Sequence, residues 1–488
     1  MIRIIHIFLF SYSIKKSMRN FSFFLFIFTV NLAAMTYGSM IGWQSPMAPQ
    51  LQSENPPVGT IAMTNEEISW LSGVMCLGGI ITTPIMGPLS EKLGRKLTGC
   101  LIGLPFLICS FLTIFATEQI HIFIARFFSG IGGAGALFLV PLYVSEISCD
   151  SIRGMLGSLV VLVVNFGILI SYILGGFLSY NICNICIAVL PVIYLGSFLF
   201  LPETPVYLIR RNRLREADRS LMWLRAGHQL TVERELLRLQ IAAKEAATLS
   251  RSIGLKDLFR NKGTIKGLVI GLGIFAGQQL CGIFAMTSYT ETIFRISGSS
   301  LSPNTAVIIV GTIQVAGSYL STSLMERTGR RPLLLISCLG MCICHYILGI
   351  FCYLQELNYN VSTFGWIPVI ALSAYMIAYC LGLGPGPYVI CSEIFDQDLS
   401  SLAITIALFF TWIVAFIVVK FFANVVDMFG MYGCFFILGT SCISTFIFIY
   451  ILVPETKGRS REDILNELNG GDSWASTIAD VKISSTDA

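Results

Sequence analysis

The 488-residue sequence predicts an all-α polytopic membrane protein, with twelve transmembrane helices in two pseudo-symmetric six-helix bundles. Three observations predict it. Apolar residues make up 55% of the chain and charged residues only 12%, about half the charge of an ordinary soluble domain, and mean hydropathy is +0.76. Apolar runs of the ~20 residues needed to cross a bilayer recur along the chain. Short motifs repeat in the same order in its two halves. Too little polar surface remains to cover a soluble enzyme.

The runs fall at about 21–43, 67–89, 98–117, 121–143, 156–178, 184–201, 263–288, 304–324, 333–353, 365–389, 402–426 and 432–453. Between the sixth and seventh lies a polar stretch rich in Arg and Glu. It reads as amphipathic helices at the membrane surface, as in Tyr207–Leu208 followed by Leu221, Trp223 and Leu224. The chain therefore divides into a cytoplasmic segment (1–20), a six-helix bundle (21–201), a helical linker (202–262), a second six-helix bundle (263–453) and a cytoplasmic tail (454–488). Ile4–Phe10 is too short for a span and lacks a cleavage site. It reads as an interfacial segment or an over-extended start, with Met18 as the other candidate initiator.

Orientation follows from the basic residues. With both termini cytoplasmic, all of the 32 Lys and Arg residues except Arg126, Arg295 and Lys420 fall on the inner side, as the positive-inside rule requires. Asn360-Val361-Ser362 then lies outside as an N-glycosylation acceptor, and the plasma membrane is the expected location. The net charge of +4 is too small for a nucleic-acid binder. Most of the 15 cysteines, such as Cys338, Cys342 and Cys344, sit in apolar runs as small hydrophobes. The lone Cys183/Cys186 pair makes no metal site, and no cofactor is expected.

Three markers repeat at nearly one offset. Glu91-Lys92-Leu-Gly94-Arg95-Lys96 after span two matches Glu326-Arg327-Thr-Gly329-Arg330-Arg331 after span eight. Pro141 to Glu146 after span four matches Pro387 to Glu393 after span ten, and Pro202-Glu203-Thr204 matches Pro454-Glu455-Thr456. With Arg126-Phe-Phe-Ser-Gly130, Gln278-Gln279-Leu-Cys-Gly282 and Gly384-Pro-Gly-Pro387, these residues resemble the sugar porters of the major facilitator superfamily over about 21–468. Gly38 to Pro46, with Trp43, and Ser69-Trp70 look most similar to insect facilitated trehalose transporters and related facilitative glucose transporters.

The resemblance implies alternating access, in which two bundles rock about a midplane site. It implies gating by charges at the inner ends: Glu91, Arg95, Glu146 and Arg153 in one half, Glu326, Arg330, Arg331 and Glu393 in the other, with Arg126 among the motif residues. The counterpart of Arg153 is Ser400, so the second latch lacks a cation, which predicts a bias toward inward-open states. Gly384, Pro385 and Pro387 break span ten and read as a hinge.

A sugar site pairs hydroxyls with donors and acceptors, and carboxamides offer both. Gln278 and Gln279 sit mid-span, where polar groups usually face a cavity. Tyr289, eleven residues after Gln278, falls near one stripe of an ideal helix. Asn165 and Gln314 add amides, and Tyr388 and Trp412 offer rings for a sugar's apolar face. Each alone also reads as interhelical packing. Relative to the family's usual pattern, Phe284 and Thr411 replace asparagines, Tyr388 a tryptophan and Val161 a glutamine, so ordinary hexose affinity is in question.

All 28 acids fall in loops or at span ends, and the first span lacks the aspartate of proton-coupled porters. His345 reads as a packed helix residue. The sequence thus predicts a uniporter for a small neutral sugar, a hexose or trehalose, with no enzyme activity and a monomer as the default state. A sugar sensor with little flux, or a porter for polyols or another small solute, are the alternatives.

Overall fold

The computed structural model describes residues 21–148, 153–225, 228–249, 258–259, 261–299, 301–395, 397–459 and 461–470. The segment 1–20 with its candidate start at Met18, the tail beyond 470, and the side chains of Arg153 and Glu326 lie outside the described residues. Among those described, the regular elements are helices. That is what lipid demands, because a spanning segment must satisfy its own backbone hydrogen bonds.

Spans one to six are Phe21–Gly42, Asn65–Leu93, Arg95–Ile114, Gln119–Ile147, Arg153–Phe177 and Tyr180–Phe198. Span seven runs as Lys262–Leu280 and Ile283–Ser288, with a short helix, Thr290–Ile296, beyond it at the rim. Spans eight and nine are Pro303–Thr328 and Arg330–Glu356. Span ten is split into Ile367–Leu381 and Gly386–Ile394. Spans eleven and twelve form one run, Gln397–Leu452, interrupted at Gly430, where φ is 71°. Leu402–Leu452, at 51 residues, is long enough for two crossings.

Burial follows from the solvent each face meets. On span six Ile182, Ile185, Val189 and Val192 are exposed, while Cys183, Ile187, Tyr194 and Phe198 are buried against the bundle. Exposed aliphatic ridges of this kind are stable only against lipid. Small residues bring the spans together. A Cβ on Gly130 of span four would collide with the Met75 carbonyl of span two, and one on Gly78 with the Phe127 carbonyl. Between the halves, span two packs on eleven and span five on eight.

The linker folds as Pro205–Arg210, Leu214–Leu224 and Gln229–Leu249. Tyr207, Leu208, Ile209 and Ala217 form its own small core. It is fastened to the first bundle by Arg211 donating to the Glu91 carbonyl at 2.6 Å and Arg225 to the Ile147 carbonyl at 3.1 Å.

Candidate functional site

Two matching charge clusters occupy the end of the bundles where the basic loops lie. Gly94 adopts φ 92°, which L-residues rarely take, and lets span two turn directly into span three. The turn leaves orphan N–H groups at the start of span three, and an anion belongs there. Glu203 supplies it, accepting from Arg95 N–H at 3.0 Å, Lys96 N–H at 3.1 Å and Thr204 N–H at 2.9 Å. Burial holds the Glu203 carboxyl above its ordinary range, against the pull of those three N–H groups. The second half repeats the design. Gly329 has φ 106°, and Glu455 accepts from Arg330 N–H at 3.0 Å, Arg331 N–H at 3.2 Å and Thr456 N–H at 2.9 Å.

The guanidinium of Arg95 is 1% exposed and lies 2.6 Å from Glu91 and 2.8 Å from Glu146. Thr204 donates to the same Glu146 at 2.5 Å. Arg330 pairs with Glu393 at 2.9 Å, and Thr456 donates to Glu393. These pairs lie within one half each rather than across the two. Arg331 departs from the expected cluster: it donates to the Tyr450 carbonyl at 2.6 Å and covers that ring at 5.6 Å, because it enters span nine facing span twelve.

At the opposite end the halves are joined. Glu291 N–H donates to Ser45 Oγ at 3.1 Å, Tyr172 to the Thr287 carbonyl at 2.8 Å, and Asn304 to the Gly176 carbonyl at 3.2 Å. Lys420 of span eleven reaches Ser69 at 3.0 Å and Glu66 at 3.7 Å, and stands 4.7 Å from the centre of the Trp70 ring. Arg126 also lies away from the basic loops. It donates to the Leu71 carbonyl at 3.3 Å, Gln44 Oε1 at 3.1 Å and the Met40 carbonyl, tying spans one, two and four.

The burial of Glu291 predicts that this closure depends on pH. Its carboxyl is 5% exposed, and burial pushes it from 4.5 to about 7 although Arg295 stands at 3.0 Å. Opening this end would return it toward the ordinary value, so the closed arrangement binds a proton more tightly than the open one. Proton-linked stabilisation of closure is therefore complete below about 4.5 and lost as pH rises through about 7. Spin labels on the two halves at this end should report a severalfold rise in the open fraction between pH 5.5 and 8.5. Glu291→Gln should abolish that dependence; an unchanged profile in the variant would refute it.

The polar residues of the midplane come next. In an unbroken helix the Leu383 carbonyl would accept the N–H of residue 387, which is proline and has none. Gln278 Nε2 replaces it, donating to Leu383 at 2.8 Å and Gly384 at 2.9 Å. Gln278 Oε1 accepts from Gln279 Nε2 at 3.2 Å, and Gln279 Oε1 is buried without a partner. Asn165 crosses to span eight, donating to Ser318 at 2.5 Å and accepting from Gln314 at 3.0 Å, which leaves Gln314 Oε1 unpartnered. Tyr289 stacks on Phe422 at 4.8 Å, its hydroxyl near Ser72 but without a hydrogen-bond partner.

The helical stripe expected to join Gln278 and Tyr289 does not exist, because Gly282 at φ 86° ends one helix and starts another. Trp412 lies against Gly79, edge-on to Tyr37 at 6.4 Å and to Phe284 at 6.0 Å. Tyr388 meets Phe275 edge-on at 5.0 Å, and Thr411 donates to the Ala407 carbonyl of its own helix. His345 is fully buried, 2.9 Å from the Cys281 carbonyl.

Sequence reasoning missed Glu203, Glu455, Thr204 and Thr456 as parts of the charge clusters, although the repeated Pro-Glu-Thr was the signal. It missed Lys420 and Glu66 as a link between the halves; a lone lysine in an apolar span was the clue. Ser318 and Gln44 carried no signal of their own.

A family model described as sugar (and other) transporter matches residues 25–468. The facilitated trehalose transporter Tret1 of Bombyx mori is 33% identical over 444 residues, 91% of this chain and 86% of that protein. Its namesake in Culex quinquefasciatus is 32% identical over 462 residues, covering 95% and 89%. The Anopheles gambiae namesake is 33% identical over 454 residues, and the match spans 93% of this chain but only 57% of that longer protein. Among solved structures, the inward-open xylose transporter XylE from E. coli superimposes with a TM-score of 0.74 at 21% identity, covering 91% of this chain and 99% of that one. A D-xylose-proton symporter gives 0.69 at 22% identity, covering 90% and 99%. At that identity the likeness speaks for the fold.

Proposed function

This chain belongs to the sugar (and other) transporter family, and on that premise we propose that it carries a small neutral sugar, a hexose or trehalose, down its concentration gradient by alternating access. It is an integral multi-pass membrane protein of the major facilitator type, a transporter and not an enzyme. Three buried, unpartnered atoms carry the reading: Gln279 Oε1, Gln314 Oε1 and the Tyr289 hydroxyl. An orphaned buried polar atom costs ~1–3 kcal/mol, and a polyhydroxyl ligand satisfies such atoms. Gln314 also donates to Asn165 across the halves, so a ligand on its Oε1 is coupled to the bundle interface.

Uniport is supported by the placement of the acids and by the relatives' printed name, facilitated trehalose transporter. The basic loops face the cytoplasm together with both termini, and the plasma membrane is the proposed location. The joined end is then the outer gate, and the exposed Asn360 between spans nine and ten is a glycosylation acceptor on the same side. Gly382 to Pro385 act as a hinge in span ten. The carboxy-terminal latch is the weaker one, because Ser400 stands where a cation would complete it. Ser400→Arg should lower the inward-open fraction severalfold in state-specific accessibility labelling, and no change would dispose of the idea.

A second reading is a sugar sensor with little flux, favoured by the use of Gln278 inside span ten's break, which thins the polar site. A porter for polyols is the third. Labelled-sugar uptake into proteoliposomes, with glucose, trehalose, fructose and inositol as competitors, separates them. Competable uptake supports the transporter, and binding without flux supports the sensor.

A further inference from the structure

A buried tyrosine ordinarily finds a partner for its hydroxyl. In this chain Tyr172, Tyr180, Tyr194 and Tyr375 donate to main-chain carbonyls at 2.8, 3.1, 2.8 and 2.9 Å. Tyr37, Tyr379 and Tyr388 depart from that habit, because their hydroxyls make no hydrogen bond among the described residues. Tyr37 is 2% exposed and the other two are half-buried. Each of the three lies within electrostatic reach of the other two, so they form one group. Tyr37 belongs to span one, whereas Tyr379 and Tyr388 stand on the two pieces of span ten. The group therefore lies where the halves meet and straddles the break.

The packing fixes the rings and leaves the hydroxyls unspent. A Cβ on Gly133 of span four would stand 2.3 Å from the Tyr37 ring, so the absence of a side chain there makes its seat. Tyr37 also meets Trp412 edge-on at 6.4 Å. The Tyr379 ring lies against Gly384, whose carbonyl Gln278 holds at 2.9 Å, which puts the phenols beside the carboxamide pair. Tyr388 is held edge-on by Phe275 at 5.0 Å. A phenol both donates and accepts, as a sugar hydroxyl does, and the ring beneath it suits the C–H face of the same sugar.

We propose that Tyr37, Tyr379 and Tyr388 bond the hydroxyls of the transported sugar and decide which hydroxyls a substrate must carry. The inference rests on the transport reading above and assigns its specificity. Because the three phenols come from the first bundle and from both sides of the span-ten break, a sugar that bonds them ties that bundle to the hinge.

The test replaces each tyrosine by phenylalanine, which keeps the ring and removes only the hydroxyl. Entry of labelled glucose and labelled trehalose into proteoliposomes is then measured, with single-deoxy forms of the sugar that enters as competitors. Tyr37→Phe, Tyr379→Phe and Tyr388→Phe should each raise KM roughly 3–10-fold at an unchanged Tm. Wild type should bind at least one deoxy form worse than the parent sugar by a similar factor. That penalty should fade in the variant whose hydroxyl met the missing group, which a merely structural role would not produce. A wild-type KM in all three variants, with sugar still entering through wild type, overturns this inference and leaves the transport reading standing. A raised KM with the ranking of deoxy forms unchanged, or a Tm lower by several degrees, shows that the hydroxyls act inside the protein and overturns it equally. Wild type that admits neither sugar removes the transport reading, and this inference with it.

Discussion

Arg95→Met is expected to lower the yield of folded protein by an order of magnitude or more, whereas Arg330→Met should be mild. The two arginines hold equivalent places, but their surroundings differ. Arg95 and its partner Glu146 have side chains 1% and 8% exposed, against 18% and 27% for Arg330 and Glu393. Removing one member of a buried pair leaves an uncompensated charge and costs ~3–5 kcal/mol, a large part of a total stability of ~5–15 kcal/mol. Water screens the second pair, so its loss should cost about 1 kcal/mol. Thermal melting of the two variants in detergent checks the asymmetry. Arg95→Met/Glu146→Gln should recover part of the loss, because the stranded carboxylate is then neutral. Equal Tm changes for both arginine variants would show that exposure does not set the cost.

Gln279→Leu and Gln278→Leu should differ in kind. Gln279 Oε1 has no protein partner, and the residue's one side-chain bond is the long one from Nε2 to Gln278 Oε1 at 3.2 Å, so replacing it costs the fold little and removes an acceptor for a sugar hydroxyl. A buried hydroxyl left unpaired costs ~1–3 kcal/mol, which predicts a KM raised roughly 10-fold with a smaller loss of Tm than in Gln278→Leu. Gln278 holds the carbonyls of Leu383 and Gly384, and its loss strands both at the hinge. That variant should lose several degrees of Tm and most of its turnover. Initial rates of sugar entry with melting curves for both proteins decide the matter. If Gln279→Leu keeps the wild-type KM, that side chain does not touch the sugar.

Much of this was legible because the membrane imposes simple rules. Runs of apolar residues predicted the spans, and the repeat of Gly94 and Gly329 predicted two equivalent turns, each of which takes positive φ. What stayed hidden depended on chain partners distant in sequence. Gln278 was read as a sugar ligand because a mid-span amide usually faces a cavity; its real partner was determined by a donor that Pro387, over a hundred residues away, does not have. Arg331 was grouped with Arg330 by adjacency, yet successive helix positions face different neighbours, and it turned to Tyr450. Arg126 was grouped with the gating charges through its motif, whereas its bonds lie with Gln44 and Leu71 inside one bundle. Lys420 stood out only as an exception to the charge rule; its partners Glu66 and Ser69 come from the other half.

The most direct measurement is flux through the purified protein in proteoliposomes, following labelled trehalose and labelled glucose with and without an imposed proton gradient. The account predicts saturable entry of at least one sugar that stops when inside and outside concentrations match whether or not a proton gradient is imposed, and that is strongly reduced at low sugar in Gln279→Leu. Entry no faster than into empty liposomes, or accumulation above the outside concentration driven by protons, would contradict it.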